Sequence, residues 1–303
     1  MPKPQGGIKW YTIAFLIYGI PTIFLTVCLF ILLCFHKAFK SSFYRLVQIN
    51  FLVSVACYAN TWYSLRLPLE NAGYSFILSI ERHLPGTMTW AQFLLAWFFH
   101  MQNITTFTLC LHRLTSTIFS NCADKFWRRY YLLFFVGSGL LSTLFMSPWI
   151  FGERFLLVKI LDGNYVQNLH PQQFELLTQY NFLCALLYFT VIPLTAVWSN
   201  ILISRKMRAV GYTAAERYSQ KLSRITFAIS LVHFGNFSYT IEEGIATTFG
   251  IRLIPADTVG IFVSFASDAV TLALPYILLL FDSNLRQVLR RSVAVTPHLV
   301  VIT

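Results

Sequence analysis

"WYTIAFLIYGIPTIFLTVCLFILLCF", Trp10 to Phe35, is a run of 26 residues without a single Lys, Arg, His, Asp or Glu, set between Lys9 and the pair His36-Lys37. An α-helix rises about 1.5 Å per residue, so about 20 such residues cross the roughly 30 Å hydrocarbon layer of a bilayer. The apolar core of a secretory signal is only about 7 to 15 residues long and ends at a small-residue cleavage site. This run is longer and lacks a convincing site, so it reads as a retained membrane helix.

Six more uncharged windows follow, and they predict helices over residues 46–65, 88–112, 130–152, 176–204, 225–241 and 258–281, the last interrupted by Asp268. Each is too long for a membrane strand and shows no sustained alternation, so helices are the reading. Composition agrees: 56% of the 303 residues are hydrophobic, 12% are charged and the mean hydropathy is +0.60, against about 25% charged in a soluble domain. The expectation is an all-α membrane protein, a bundle of seven transmembrane helices forming one domain over residues 1–303.

Seven spans put the termini on opposite sides. Of the 23 Lys and Arg, seven fall on the side of the N-terminus and sixteen on the other. Basic residues gather on the cytoplasmic side of short loops, which predicts an external N-terminus and a cytoplasmic C-terminus. The net charge of +11 is then explained by attraction to an anionic leaflet, without nucleic acid. None of the six cysteines lies in a predicted outer loop, so small packing residues are expected rather than a disulfide framework. Two Asn-x-Ser/Thr matches, at Asn103 and Asn236, lie inside predicted helices, where glycosylation is not expected.

Three segments carry a resemblance. "SFYRLVQINFLVSVACYANTWYSLRLP" (Ser42 to Pro68), "LHRLTSTIFSNCADKFWRRYY" (Leu111 to Tyr131) and "SDAVTLALPYILLLFDSNLRQVL" (Ser267 to Leu289) resemble the nematode serpentine chemoreceptors, class gamma first and the related classes U and V next. The resemblance covers nearly the whole chain. It implies a G-protein-coupled-receptor-like fold and a chemosensory role at the plasma membrane, including sensory cilia. The implied partners are a heterotrimeric G protein and a small-molecule or pheromone-like ligand, with no cofactor. His112-Arg113 resembles the acid-Arg pair of rhodopsin-like receptors at the inner end of helix three, with His in place of the acid. Ala273-Leu274-Pro275-Tyr276 matches the Asn-Pro-x-x-Tyr element of helix seven only loosely.

Asp268 is the sharpest single signal. An ionised group near mid-membrane costs roughly 2.5 to 3.5 kcal/mol on translocon scales, so it should face the bundle. Ser264, Ser267, Asp268 and Thr271 follow i, i+3, i+4, i+7 and share one helical face. His100, Asn103 and Phe107 in the third span, and His233, Asn236 and Thr240 in the sixth, form two weaker stripes. Together His100, Asn103, Phe107, His233, Asn236 and Asp268 are the candidate ligand-binding set, with interhelical hydrogen bonding as the plainer role for each.

On the other side, Arg113 is expected at the inner edge, snorkelling toward water or polar backbone. With His112, Arg128, Arg129, Arg205, Lys206, Arg224 and Arg286 it makes the candidate G-protein-facing set. "RKMRAVGYTAAERYSQKLSR" (205–224) reads as basic extensions of helices five and six. Residues 283–293 read as an amphipathic helix with Leu285, Val288 and Leu289 on one face. Pro21, Pro148, Pro193 and Pro275 fall in or at the ends of spans and are candidate kinks.

An enzyme is disfavoured. No two of the seven histidines lie within ten residues of one another, so no metal-ligand spacing appears, and Gly137-Ser138-Gly139 is too short for a nucleophile elbow. A transporter or channel is the alternative function, but it would favour an internal repeat and paired deep charges, and only Asp268 reads as deep.

Overall fold

The computed structural model describes residues 9–147, 158–161, 164–167, 171–210, 214–255 and 258–295. Long helices dominate: α1 Trp10–Phe35, α2 Ser42–Thr61, a short α3 Asn71–His83, α4 Thr87–Ile118 and α5 Ser120–Phe145. An antiparallel hairpin of β1 Val158–Leu161 and β2 Asn164–Gln167 follows. The chain continues through α6 Pro171–Val210, α7 Ala214–Phe249, α8 Val259–Phe281 and α9 Ser283–Val295. Among the described residues, the seven long helices α1, α2 and α4 to α8 build the bundle.

The helices alternate in direction, so the bundle has an N-side, where α1 begins, and a C-side, where α8 ends. On the N-side, the Lys9 amide and the Thr12 hydroxyl donate to Glu70, just beyond α2. On the C-side, the Tyr44 hydroxyl near the start of α2 donates to Asp282 beyond α8, at 2.7 Å. Helix α4 is central and packs on α2, α5, α6 and α7, while α1 closes the ring against α2 and α8.

Which face of each helix is buried follows from its sequence. In α1 the stripe Phe15, Thr22, Thr26, Leu29, Leu33 is buried, while Ile17 and Phe24 on the opposite face are 70% and 71% exposed. Leu140 of α5, Leu194 of α6 and Leu280 of α8 are exposed to a similar degree. In water, contiguous apolar surface of this kind would be an association liability; here it is the surface that meets lipid tails.

Close approach of α1 to α2 requires Gly19, because a Cβ there would lie 1.9 Å from the Tyr58 hydroxyl. Polar residues inside the bundle are tolerated because many bond within their own helix. The hydroxyls of Thr105 and Thr108 in α4 donate to the Met101 and Ile104 carbonyls at 2.9 and 2.8 Å, the back-bonding expected of Thr one turn on.

The helices run past the uncharged windows, because charge marks the edge of the lipid and not the end of a helix. Thus α4 extends to Ile118 and α5 begins at Ser120, ten residues before the window at Tyr130. Helix α2 ends otherwise. A π-helical turn, Trp62–Arg66, is followed by a 3-10 turn, Leu67–Leu69, because Pro68 supplies no amide donor and restrains the residue before it.

Two elements were not anticipated. Helix α3 carries Ile77, fully buried, which packs with Met88 of α4. The hairpin has a sequence signal in Asp162-Gly163 between two β-prone runs. Pro148 and Arg154 lie outside the described residues.

Glu81 of α3, on the connection outside the spans, fixes this corner. It accepts from the Gly86 amide at 2.5 Å, the Thr87 hydroxyl at 2.7 Å and the Met88 amide at 3.0 Å. Burial raises its carboxyl pKa, and the hydrogen bonds from Thr87, Met88 and Gly86 outweigh burial, leaving it below the ordinary value. A lowered native pKa stabilises the corner fully above the unfolded carboxylate value of about 4.3, and that contribution is lost as pH falls through the lowered value. Amide exchange at Gly86 and Met88 should therefore lose protection below about pH 4, and Glu81→Gln should remove this pH dependence. An unchanged profile in the variant would assign the effect to other groups.

Candidate functional site

Three polar clusters occupy the interior. The first lies toward the N-side. The π-helical turn at the end of α2 carries Arg66 into the bundle, where its Nη2 bonds the Asp268 Oδ1 of α8. Both side chains are buried, 1% and 4% exposed. The Tyr18 hydroxyl of α1 donates to the other Asp268 oxygen. The guanidinium carbon sits 4.7, 4.8 and 5.0 Å from the ring centres of Phe15, Tyr58 and Trp62. Three helices thus meet at one ion pair inside an aromatic box, where cation–π attraction offsets part of the desolvation of Arg66. The Arg66 Nε and Nη1 atoms are buried without a hydrogen-bond partner among the described residues.

Arg66, counted from the sequence among the seven basic residues on the side of the N-terminus, is buried in the bundle. It follows the second uncharged window directly, and the π turn supplies the rotation that brings it inward. Asp268 is inward as its stripe predicts, with Ser264 and Thr271 fully buried beside it and Ser267 partly so.

The second cluster joins α4 to α6 and α7. His100 Nδ1 lies 2.9 Å from the Tyr188 hydroxyl, and its ring stacks on Phe145 with centroids 5.3 Å apart. Among the described residues its Nε2 has no partner, nor does the Asn103 Oδ1, whose amide nitrogen donates to the Phe99 carbonyl. Phe107 packs against the neighbouring apolar group that includes Tyr188, Ile192 and Phe237. His233 Nδ1 lies 2.9 Å from the Ile229 carbonyl, which only accepts, so that nitrogen carries the proton and Nε2 accepts from the Thr106 hydroxyl at 3.1 Å. The side chain of Asn236 lies outside the described residues. The predicted ligand set is thus split between two clusters. Gln102 ties α4 to α8, its Nε2 donating to Thr271 Oγ1 at 3.0 Å.

The third cluster lies on the C-side. His112 Nε2 is 2.8 Å from the Ser42 hydroxyl, which donates to Asp124 Oδ1 at 2.7 Å. Asp124 also pairs with Arg128 on the exposed face of α5. The carboxylate missing next to Arg113 is therefore supplied by the following helix and reaches His112 through α2. The order is not that of a nucleophilic triad, since the carboxylate meets the serine and not the imidazole. Trp127, 1% exposed, covers His112 and donates to Thr115 at 2.8 Å.

Of the two destinations expected for Arg113, water is not the one it reaches. It is 5% exposed, with its guanidinium carbon 4.1 Å from the Phe43 ring centre, because α4 continues for five residues beyond it. Arg129 and Arg286 are exposed. Arg205 and Arg224 are exposed on the flank of the α6–α7 seam, and the side chain of Lys206 lies outside the described residues.

The family model for Srg family chemoreceptors matches residues 12–289. This chain belongs to the Srg chemoreceptor family. Serpentine receptor class gamma-47 of Caenorhabditis elegans is 26% identical over 293 residues, covering 96% of this chain and 93% of the relative. Serpentine receptor class gamma-53 of the same organism is 26% identical over 286 residues, covering 92% and 91%. The resemblance of the three quoted segments thus extends across the full bundle.

As an Srg chemoreceptor the protein works in a membrane, and its role is chemosensory signalling; membership of a receptor family speaks for signalling over catalysis. Within this Srg chemoreceptor, sequence reading missed Arg66, Tyr18, Ser42 and Asp124. Arg66 carried a usable signal as a charge one residue past an apolar window. The other three become visible only when distant helices are brought together, with Tyr18 lying 250 positions from its partner Asp268.

Proposed function

We propose that this chemoreceptor lies in the plasma membrane, of sensory cilia in a sensory cell, with its N-side outside and its C-side in the cytosol. It reads a small-molecule, pheromone-like signal within a single seven-helix domain and passes it to a heterotrimeric G protein. The observation that carries this reading is the continuity of α4. It holds His100 and Asn103, each with a buried polar atom lacking a partner among the described residues, and further toward the C-side the same helix holds His112 and Arg113.

An unpartnered buried polar group costs about 1–3 kcal/mol, so a ligand that supplies the missing donor or acceptor gains from the state in which those atoms are exposed to it. Such differential binding is what shifts a bundle between two arrangements. His100, Asn103, Phe107, His233, Asn236 and Asp268 form the reading side. His112, Arg113, Arg128, Arg129, Arg205, Lys206, Arg224 and Arg286 form the coupling side. Arg113 becomes available to the G protein when α4 and α2 part around Phe43.

The test is a ligand screen on expressing cells with a G-protein readout, repeated with Arg113→Ala and Asp268→Asn. Arg113→Ala is expected to abolish nucleotide exchange while the receptor still reaches the surface, and Asp268→Asn to change the ligand response. Parent-like signalling by both variants would remove these two roles. Ligand flux across liposomes containing the purified chain, with no exchange on an added G protein, would make the protein a transporter instead.

A further inference from the structure

The seam between α6 and α7 opens on its outer flank into a groove of about 600 Å³, lined by Val197, Asn200, Ile201, Ser204, Arg205, Arg224 and Phe227. That volume falls within the roughly 300–1,000 Å³ of small-molecule sites. The lining faces away from the bundle. Ala196, Ser199 and Ile203 of α6 and Ser223, Thr226 and Ser230 of α7 are buried, whereas Val197, Ile201, Arg205, Arg224 and Phe227 are exposed. The groove is therefore a feature of the lipid-facing surface, separate from the three interior clusters.

Its chemistry is graded along the membrane normal. Toward mid-membrane the wall is apolar, with Val197, Ile201 and Phe227, and it continues into the exposed Leu194 and Leu231. Toward the C-side it ends in Ser204 and two guanidinium groups. The floor is fixed, since Ser223 donates to the Asn200 side chain and the Asn200 amide donates to the Ala196 carbonyl at 3.1 Å. A basic rim above an apolar wall, at the end of two spanning helices, is complementary to an anionic headgroup with an attached acyl chain.

We propose that this groove is a binding site for one anionic membrane phospholipid, its phosphate held between Arg205 and Arg224 and its acyl chain laid against Val197, Ile201 and Phe227. Guanidinium groups suit phosphate because their planar donors pair with its oxygens. The apolar wall selects a lipid over free phosphate, and the position on the outer flank selects a lipid over a protein helix inserted into the bundle. Basic pockets between spanning helices bind anionic headgroups by the same physics.

The test uses the purified full chain in nanodiscs of phosphatidylcholine with a minor share of phosphatidylserine, with bound lipid counted by native mass spectrometry. The parent should retain phosphatidylserine over phosphatidylcholine. Arg205→Gln and Arg224→Gln should each reduce that retention about fivefold, the factor corresponding to roughly 1 kcal/mol per basic group near an anionic surface. Both arginines are exposed, so the variants should unfold thermally as the parent does. Arg286→Gln, basic but outside the groove, should retain the parent's preference. Glycerophosphoserine, the soluble headgroup, should not compete.

Retention of phosphatidylserine in the double variant Arg205→Gln with Arg224→Gln, equal loss in Arg286→Gln, or competition by the soluble headgroup would each overturn the proposal. So would a double variant that loses G-protein exchange in pure phosphatidylcholine discs while its lipid retention stays at the parent's level. That result would assign the two arginines to the coupling surface alone.

Discussion

Asp268→Leu and Arg66→Leu, made singly, should each cost about 3–5 kcal/mol, the usual penalty for leaving one member of a buried ion pair uncompensated. Made together they should recover most of that loss. The pair is buried on both sides, with rings of Phe15, Tyr58 and Trp62 around the cation and the Tyr18 hydroxyl on the anion. Removing one charge leaves the other in a low-dielectric interior, while replacing both by apolar groups removes the desolvation cost as well. Thermal unfolding of the purified receptor in detergent, with surface labelling of cells, gives the double-mutant cycle. Additive losses, with the double variant as impaired as the two single losses combined, would mean that the two residues do not stabilise each other.

The second large effect is expected at Trp127. Trp127→Ala should cost about 3–5 kcal/mol, because a fully buried aromatic leaves a cavity. The cavity would lie between His112 and Phe134, the rings it packs against at 5.3 and 4.4 Å. Trp127→Phe keeps a ring in place and loses the hydrogen bond to Thr115, so its cost should be about 1 kcal/mol. The comparison is read by the same thermal unfolding. Equal losses in the two variants would show that the hydrogen bond, and not the packing, holds the α4–α5 contact.

The spans were legible because a charge is costly in hydrocarbon and its absence is easily seen over about 20 residues. The inward direction of Asp268, Ser264 and Thr271 was legible for the same reason, through the helical period. The helix ends were not, since charge marks the edge of the lipid and α4, α5, α6 and α7 all extend past it. Arg66 was legible only as a charge next to an apolar window, because its inward direction depends on a π turn that no regular 3.6-residue period contains. The partition of the ligand candidates was also hidden. His100 and Asp268 each sit on an inward face, but spacing along a helix says nothing about which neighbour that face meets.

By length and apolarity alone, three stretches among the described residues qualify as spans: Trp10–Phe35, Gln179–Arg205 and Ile261–Phe281. The remaining helices enter the bilayer with polar stripes that become favourable only against partners, which has a consequence for biogenesis. Helices α4 and α5 emerge from the ribosome in succession and meet at once. Helix α2 carries Arg66 into the insertion machinery, yet the carboxylate that compensates it arrives on α8, the final span to be synthesised. A nascent chain halted before α8 holds an unneutralised guanidinium at membrane depth, a cost that only completion of the last span relieves.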